Sequence, residues 1–360
     1  MNNAQPASLT SFVDEHAQDQ PRSAAPLRAA RERLMPEGQR MKRIALLDAS
    51  LASENLGDQI ITDAAQAVLE SIFPDAFFVR LTTHEFHLWE SRRIMDGCDL
   101  VFVGGSNLLK SNMIRKNQWK ISPLDYFFRK ECILLGCGWW YYQPQPNWYA
   151  AKMLNKILSK KYTHSVRDEY SRTQLESVSI DKVLNTACVT MWGLSPEHCS
   201  AIPTQKAPIA VLTLTGYSQN IAADRALVDL LLKRYDSVYF WVQQPEDHAY
   251  GISISGGRIK LLSPNLRIYT EFLKENHVDY IGTRLHGGIR AIQSGKRSLI
   301  LAVDNRATEI SRDTDLPVLQ RTDLAGIAAW IDTPGATRIR LPEARIEAWR
   351  SQFTQLPEGS

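Results

Sequence analysis

Short apolar runs alternate with amphipathic segments from residue 43 to residue 303, and this alternation limits the folds open to the chain. Short apolar runs that end in small or polar residues are typical of parallel strands buried on both faces. Apolar residues three and four positions apart, as in 55–73, predict helices that cover such a sheet. Strands are predicted within 43–50, 76–81, 98–109, 131–140, 162–177, 209–214, 238–243, 258–263, 278–282 and 298–303. The pattern predicts an α/β fold with parallel sheets.

The alternation breaks around 194–206, within the proline-containing string GLSPEHCSAIPTQKAP. We interpret this string as a linker between two similar series of strands and helices. The sequence thus predicts two Rossmann-like domains, 41–200 and 205–335, that face each other across a cleft. Ligands in such sheets bind at the carboxyl ends of the strands, so we expect the functional residues at those ends.

The two ends of the chain differ from this pattern. Residues 1–40 are polar and rich in Ala, Pro and Arg, which predicts a mobile arm with one short helix at 27–34. Residues 336–360 predict a last amphipathic helix, at 343–353, and a tail.

Composition places the chain among soluble globular proteins and argues against a nucleic-acid partner. Of its 360 residues, 44% are hydrophobic and 22% are charged, which is an ordinary mixture. The net charge of +3 is far weaker than the concentrated positive charge of nucleic-acid-binding domains.

Cysteine spacing and hydropathy predict a cytoplasmic location. The five cysteines form no Cys-x-x-Cys pair, which predicts reduced, buried thiols. The first forty residues lack the apolar core of a secretory signal, and no run of about 18 apolar residues occurs. Peripheral contact with the inner face of a membrane, and self-association into a homo-oligomer, are left open.

The string YIGTRLHGGIRAIQSG, residues 280–295, is the strongest candidate for a functional site. It leads from a predicted strand into a predicted helix, where unpaired backbone N–H groups attract anions. Arg284 adds a guanidinium that matches a phosphate or carboxylate, and His286 lies close enough in sequence for proton transfer near a bound anion. The structural alternative is an Arg and a His that cap the helix or pair across the domains.

Four weaker candidates also follow predicted strands or lie in an aromatic segment. The candidates are Asn55, Gly57 and Asp58 in SENLGDQI, Gly104, Gly105, Ser106 and Asn107 in FVGGSNLL, Arg167 in HSVRDEYSRTQL, and Trp139 and Trp140 in GCGWWYYQPQPNWY. Their structural alternatives, in the same order, are a helix cap, a tight turn, an Arg–Asp pair and buried aromatic packing. We interpret FWVQQPEDHAY as a polar loop, and the two histidines of THEFHLWE as lying on a solvated helix face.

These motifs together resemble the polysaccharide pyruvyltransferase family, over about residues 42–312. The resemblance rests on GTRLHGGIRAIQSGKRSLIL, NLGDQIITDAA, FVGGSNLL and HSVRDEYSRTQL. It implies a glycosyltransferase-B type architecture and transfer of a pyruvyl group from phosphoenolpyruvate to sugar hydroxyls, forming a ketal. The first domain would then take the acceptor and the second the donor.

The resemblance also implies roles for individual residues. Arg284 corresponds to a phosphate-contacting residue and His286 to the acid/base residue. Many relatives carry an aspartate followed by a lysine after the last strand. The corresponding string here is VDNRATEI, in which Asp304 is retained and the nearest basic residue is Arg306. The expected donor-binding set is Gly282, Thr283, Gly287, Gly288, Arg290, Asp304 and Arg306.

The chemistry implied by the resemblance needs a co-substrate but no cofactor and no metal. Phosphoenolpyruvate would be the donor, and a saccharide or lipid-linked oligosaccharide of exopolysaccharide or capsule synthesis the acceptor. Two rival hypotheses remain: a nucleotide-sugar-dependent glycosyltransferase of similar fold, and an inactive scaffold in glycan synthesis.

Overall fold

The computed structural model describes residues 40–114, 118–128 and 130–354. Apart from Arg40, the predicted N-terminal arm and its helix at 27–34 lie outside the described residues. Residues Met41–Ser360 form one compact unit, which carries both predicted series of strands and helices.

The first half contains six parallel strands. β1, β2, β3 and β4 form one sheet in the order β2-β1-β3-β4, and β5 and β6 pair next to each other. Single bridges, Cys137 to Val166 and Cys132 to Leu158, connect the β4 and β5 regions. The strands are Arg43–Asp48, Phe77–Thr82, Leu100–Gly104, Ile133–Leu135, His164–Val166 and Val183–Asn185, and helices α1 to α5 are Leu56–Ile72, Trp89–Asp96, Asp125–Phe128, Trp148–Ile157 and Glu169–Glu176.

The second half contains a six-stranded parallel sheet in the order β12-β11-β10-β7-β8-β9. A 3₁₀ turn, Val189–Met191, and α6, Pro196–Ser200, lead into it. Strands β7 to β12 are Ile209–Thr213, Ser237–Trp241, Lys260–Leu262, Val278–Gly282, Ser298–Ala302 and Val318–Gln320. Helices α7 to α13 are Ile221–Arg234, Pro245–Ser255, Leu266–Glu275, Leu285–Gln293, Asn305–Thr314, Leu324–Asp332 and Glu343–Ser351.

The predicted α/β fold is confirmed, and each predicted strand region contains a strand. The apolar runs form strands because helices cover both faces of the sheets; in β1, for example, five of the six residues are buried. The sequence analysis did not foresee β6, β12, α2, α3, α6, α8, α11 and α12. Helix α8 corrects the interpretation of FWVQQPEDHAY as a loop, because a proline and a capping box begin a helix there.

In each sheet, successive strands are added first on one side of the starting strand and then on its other side. In the second sheet, β8 and β9 lie on one side of β7, and β10 to β12 lie on the other side. In the first sheet, β2 and β3 flank β1 in the same way. The carboxyl ends of strands at such a switch point form a natural ligand crevice.

An apolar cluster joins the two halves. Ile60, on α1 of the first half, is fully buried in the same cluster as Trp241 and Ile289 of the second half. Helix α13, at the end of the chain, then packs back against the first sheet, where Trp349 makes an edge contact with Phe102. The two halves therefore share core residues.

We predict that the docking of α13 contributes strongly to stability. Trp349 is fully buried, whereas Trp89 is 88% exposed. Removing a buried aromatic ring typically costs about 3–5 kcal/mol, and an exposed one less than about 0.5 kcal/mol. In urea unfolding, Trp349→Ala should therefore shift the midpoint strongly and Trp89→Ala should not; equal midpoints for the two variants would contradict this packing.

Candidate active site

A polar cleft lies between the switch points of the two sheets, and we call it the central cleft. Its volume is about 540 Å³. The loops after β1 and β3 supply the first wall, including the predicted residues Asn55, Asp58, Ser106 and Asn107, and Trp140 adds a ring. The second wall comes from the loops after β7, β8 and β11, with Tyr217, Gln244 and Arg306. Residues of both predicted domains thus meet at the carboxyl ends of their strands.

Three non-glycine residues of the cleft wall have left-handed backbone. Ala52, Ser106 and Tyr141 have φ angles of 58°, 64° and 58°, in the left-handed region that residues other than glycine rarely adopt. All three line the central cleft. Such strain persists only where the surrounding structure enforces it, and it is common at functional sites.

The first wall presents a buried carboxyl group, that of Asp58. Asp58 lies in the first turn of α1, and its oxygens accept hydrogen bonds from Ser53 (2.7 Å) and Ser106 (3.1 Å). Burial raises the pKa of Asp58, although the two hydroxyls and the nearby His84 and Arg306 oppose this. A carboxyl group with a raised pKa on a cleft wall is suited to proton transfer.

Helix α1 is fixed to the second half at its first residues. Asn55 caps the helix by accepting from the Gly57 N–H (3.0 Å), so the predicted structural alternative holds for it. Its side-chain oxygen also accepts from Gln243 Nε2 at 2.8 Å. A Cβ on Gly57 would lie 2.7 Å from that same Nε2. The glycine therefore allows the two halves to approach closely.

Gly104 and Gly105 were expected to let a ligand approach the main chain, and the structure gives them a packing role instead. A Cβ on Gly104 would lie 2.8 Å from Leu46, and a Cβ on Gly105 would lie 2.3 Å from Ile61. Their small size thus lets α1 pack on β3. The residues of this string that line the cleft are Ser106 and Asn107.

Arg306 supplies a fixed positive charge to the second wall. Its Nε lies 3.0 and 2.9 Å from the two carboxylate oxygens of Asp304, and its Nη2 donates to the Tyr217 hydroxyl at 2.8 Å. Burial alone would raise the pKa of Asp304, but Arg306 and its hydrogen bonds outweigh this and lower it. Asp304 also caps α11. The pair therefore holds the guanidinium at the cleft in a defined orientation.

Arg284 lies behind this wall. It precedes α10 and is 4% exposed. Its Nε and Nη2 form a two-pronged ion pair with Asp247, and Nη2 also donates to Gln244 at 3.1 Å. The guanidinium stacks on the Tyr217 ring, 5.0 Å from its centre. Nη1 has no partner among the described residues and is the part of Arg284 left for a ligand.

His286 is buried on the first turn of α10. It is 4% exposed, and its Nε2 lies 3.7 Å from the Cys188 sulfur. Burial, reinforced by the positive charges of Arg306 and Arg167, lowers the pKa of His286 to about 3. The ring is therefore neutral near pH 7 in the ligand-free protein.

The glycines around this motif mainly permit close packing. A Cβ on Gly282 would lie 2.3 Å from Thr213, and one on Gly288 would lie 2.5 Å from Ile300. The N–H groups of Thr283 and Gly288 are already used, by the carbonyls of Thr213 and Arg284. Backbone N–H groups throughout 282–288 were expected to be available to an anion. Only those of the first residues of α10 still fit that expectation. Gly287 lies among them, with Gln243 3.1 Å from where its Cβ would be.

Arg290 corrects the expectation that three guanidiniums of the second domain converge. It lines a separate cavity of about 560 Å³ between α1 and α9, which we call the rear cavity. Its Nη2 lies 3.5 Å from an Asp63 oxygen. Arg290 follows Arg284 by six residues, so it lies on a different part of the helix surface.

Two further predicted contacts are also buried. Trp139 is fully buried and donates to Ser111 at 3.2 Å, so the prediction that it stacks on a ligand is wrong. Arg167 is 1% exposed, and its Nε donates to Asp168 at 3.0 Å. It fits beside Gly138, where a Cβ would lie 2.1 Å from its guanidinium carbon. Its charge acts on His286 from within the protein.

Sequence reasoning missed several residues of the site. Asp247 and Gln244 were assigned to an ordinary loop, although a Pro followed by acidic residues is a helix-start signal that could have indicated their position. Tyr217 carries no local signal, and Tyr141 lies in the aromatic segment GCGWWYYQPQPNWY, in which only Trp139 and Trp140 were named as candidates. His84 and His87 lie before α2 and not on it: His84 lines the central cleft, and His87 is 4% exposed.

All five cysteines are buried thiols outside any disulfide, as the sequence predicted. Within 40–114, 118–128 and 130–354, no three His, Cys, Asp or Glu side chains are grouped so that they could hold a metal ion. Over the same residues, no helix is both long and apolar enough to cross a bilayer.

We predict that the buried His286 makes stability depend on pH. Its pKa is about 3 in the folded protein and near 6.5 when unfolded, so the unfolded chain binds the proton first as pH falls. The contribution of neutral His286 to the free energy of unfolding is complete above pH 6.5. It is lost on acidification, by up to about 1.4 kcal/mol per pH unit. In urea unfolding at pH 7, 6 and 5, His286→Gln should flatten the pH dependence, and the same change at the exposed His277 should not. A parallel loss of stability in parent and His286→Gln would contradict the assignment.

Comparison with solved structures supports the fold. The protein is similar to a UDP-GlcNAc 2-epimerase of Methanocaldococcus jannaschii, with a TM-score of 0.52 and 10% identity over 88% of this chain and 99% of that one. Weaker similarities include the UDP-GlcNAc 2-epimerase of Neisseria meningitidis (TM-score 0.45, 14% identity, 87% and 94% coverage) and an E. coli heptosyltransferase (0.37, 9%, 72% and 88%). The protein thus has the glycosyltransferase-B type of fold, with two Rossmann-like halves.

Comparison at the level of sequence identifies the family. No curated protein matches the chain significantly. The family model for polysaccharide pyruvyl transferase matches residues 55–305. This region begins at the cap of α1, includes Arg284 and His286, and ends at the start of α11. It therefore contains residues of both walls of the central cleft, while Arg306 lies one residue beyond it. The chain belongs to the polysaccharide pyruvyl transferase family.

Proposed function

We propose that this protein transfers the pyruvyl group of phosphoenolpyruvate to two hydroxyls of a sugar, forming a cyclic ketal on an exopolysaccharide or capsule precursor. The observation that carries the proposal is the guanidinium of Arg306, which is held in place on the wall of the central cleft. It donates to the hydroxyl of Tyr217, and the ring of Tyr217 stacks on Arg284 of the motif that also contains His286. The reaction would need phosphoenolpyruvate as co-substrate and no resident cofactor or metal.

The donor would bind through its negative charges. Phosphoenolpyruvate carries a phosphate and a carboxylate, which form strong hydrogen bonds with guanidinium groups. Arg306 is held by Asp304 and Tyr217, and Arg284 is held by Asp247, so neither would have to reorganise on binding. The N–H groups at the start of α10 would add donors beside Nη1 of Arg284.

The proposed reaction balances without a further reactant. A proton adds to the methylene carbon of phosphoenolpyruvate, which leaves a cationic centre at C2. One sugar hydroxyl attacks C2, and its proton is released to the base. The C2–O bond to phosphate then breaks, phosphate leaves with the bonding electrons, and the second hydroxyl closes the ketal. The two sugar hydroxyls release two protons. One replaces the proton that was added to the methylene carbon, and the other leaves with phosphate.

Proton transfer would use the groups with shifted pKa values. In the ligand-free protein, positive charges help to hold the pKa of His286 at about 3. A donor anion beside Arg306 would offset those charges and raise the proton affinity of His286, so that the base becomes effective when the donor is bound. Asp58 is the carboxyl group on the opposite wall, and its raised pKa favours the protonated form needed by an acid.

We predict that phosphoenolpyruvate stabilises the folded protein through Arg306. A ligand at 100 times its Kd adds about 2.7 kcal/mol to the free energy of unfolding, so Tm should rise in thermal unfolding. Arg306→Gln removes charge-assisted hydrogen bonds worth about 1.5–3 kcal/mol each. The variant should therefore bind phosphoenolpyruvate at least about tenfold more weakly.

The matched control is Arg340→Gln, which removes an exposed Arg–Asp pair far along the chain from the cleft residues. It should keep the rise in Tm. Parallel measurements with UDP and GDP test the rival reading: a rise with a nucleotide, and none with phosphoenolpyruvate, would overturn the proposal in favour of a nucleotide-sugar-dependent glycosyltransferase. Formation of a ketal methyl group on a glycan fraction, followed by NMR with ¹³C-labelled phosphoenolpyruvate, would test the transfer itself.

A further inference from the structure

We infer that a second pocket, next to the central cleft, binds a neutral sugar ring of the acceptor; this inference rests on the proposed function. The pocket has a volume of about 500 Å³ and lies between the loops after β11 and β12 and the Tyr141–Tyr142 segment. We call it the side pocket. Its volume is within the range of small-molecule sites in proteins.

The charges that line the side pocket are neutralised within the protein. Asp304 is paired with Arg306, as described above. Arg321 donates to Asp224 at 3.1 Å and to Ser218 at 3.1 Å. Both charged residues of the lining thus already have partners within the protein, and the remaining lining is neutral.

Two tyrosines give the pocket an aromatic wall. Tyr141 and Tyr142 are 42% and 57% exposed. Tyr142 is fixed from behind, because its hydroxyl donates to Glu309 at 2.5 Å and its ring packs edge-on against Tyr170 at 5.2 Å. Rigid, partly exposed tyrosine rings suit the apolar face of a sugar while their edges remain polar.

Neutral hydrogen-bonding groups line the rest of the pocket. Thr308, Gln320 and Thr322 supply hydroxyl and amide groups. Asn305 is 6% exposed, and its Oδ1 has no hydrogen-bond donor among the described residues. A buried acceptor without a partner is costly, which marks Asn305 as a strained polar residue at the edge of the pocket. A polyhydroxylated neutral ring matches this combination of groups.

The side pocket is joined to the central cleft. Tyr141 lines both, and the Asp304–Arg306 pair lies between them, with Asp304 on the side pocket and Arg306 on the cleft. A sugar in the side pocket would therefore present hydroxyls toward a donor held by Arg306. The left-handed backbone of Tyr141, with φ of 58°, holds its ring at this junction.

Two matched variants test the inference. Thr308 and Thr270 are half-buried threonines on helices, and they line the side pocket and the rear cavity, which have similar volumes. Thr308→Trp should fill the side pocket, and Thr270→Trp should fill the rear cavity. Binding is measured by saturation-transfer NMR on the full chain with methyl β-D-glucoside, methyl β-D-galactoside and methyl α-D-mannoside, and phosphoenolpyruvate binding is followed separately by Tm.

We expect at least one glycoside to bind the parent protein, Thr308→Trp to weaken it by about tenfold, and Thr270→Trp to leave it unchanged. The rise in Tm with phosphoenolpyruvate should persist in both variants. Absence of binding by all three glycosides, or binding that Thr308→Trp leaves intact, would overturn the inference while the response to phosphoenolpyruvate still stood. Glycoside binding that depends on Thr308, without any response to phosphoenolpyruvate, would support a sugar site and overturn the proposed donor instead.

Discussion

The contact between the start of α1 and the end of β8 holds both walls of the central cleft in place. The Leu56 N–H donates to the Gln243 carbonyl at 3.0 Å, and the Gln243 side chain donates to Asn55. The absence of a side chain at Gly57 permits this approach. Behind it, Ile60 is buried with residues of the second half. Because interiors are close-packed and stiff, this seam fixes the distance between Asp58 on one wall and Arg306 on the other.

The charges of the site form a set of paired groups around one neutral ring. Arg167, Arg284 and Arg306 are each neutralised by a carboxylate, from Asp168, Asp247 and Asp304. Burial, with the nearby charges of Arg306 and Arg167, lowers the pKa of His286, and Asp304 opposes this. The pairs hold the cations in defined positions, which is what preorganised electrostatic catalysis requires.

The fold was largely predictable because local patterns determine it. The apolar runs that form β1 and β10 and the helical spacing in α1 and α10 are local properties, and their order indicates parallel sheets. Strands β6 and β12 were not foreseen, whereas β4, β5 and β9, which also have three residues each, lie within predicted regions. The site was predicted in part. Asn55, Asp58, Ser106, Asn107, Trp140 and Arg306 line the cleft. The lining does not include Trp139, Arg167, Arg284, His286 or Arg290, of which the first four are buried and the last lines the rear cavity.

The sequence by itself determined the class of fold, the strand ends that meet at the central cleft, and the motif that marks the family, because each depends on residues close together in the chain. Tertiary structure alone decided which of those side chains share one cleft. Trp139 and Trp140 are adjacent in sequence, yet one is fully buried and the other lines the cleft. Asp247 reaches Arg284 across 37 residues. Burial and pairing depend on contacts between segments that are far apart in the chain. Local sequence patterns do not specify those contacts.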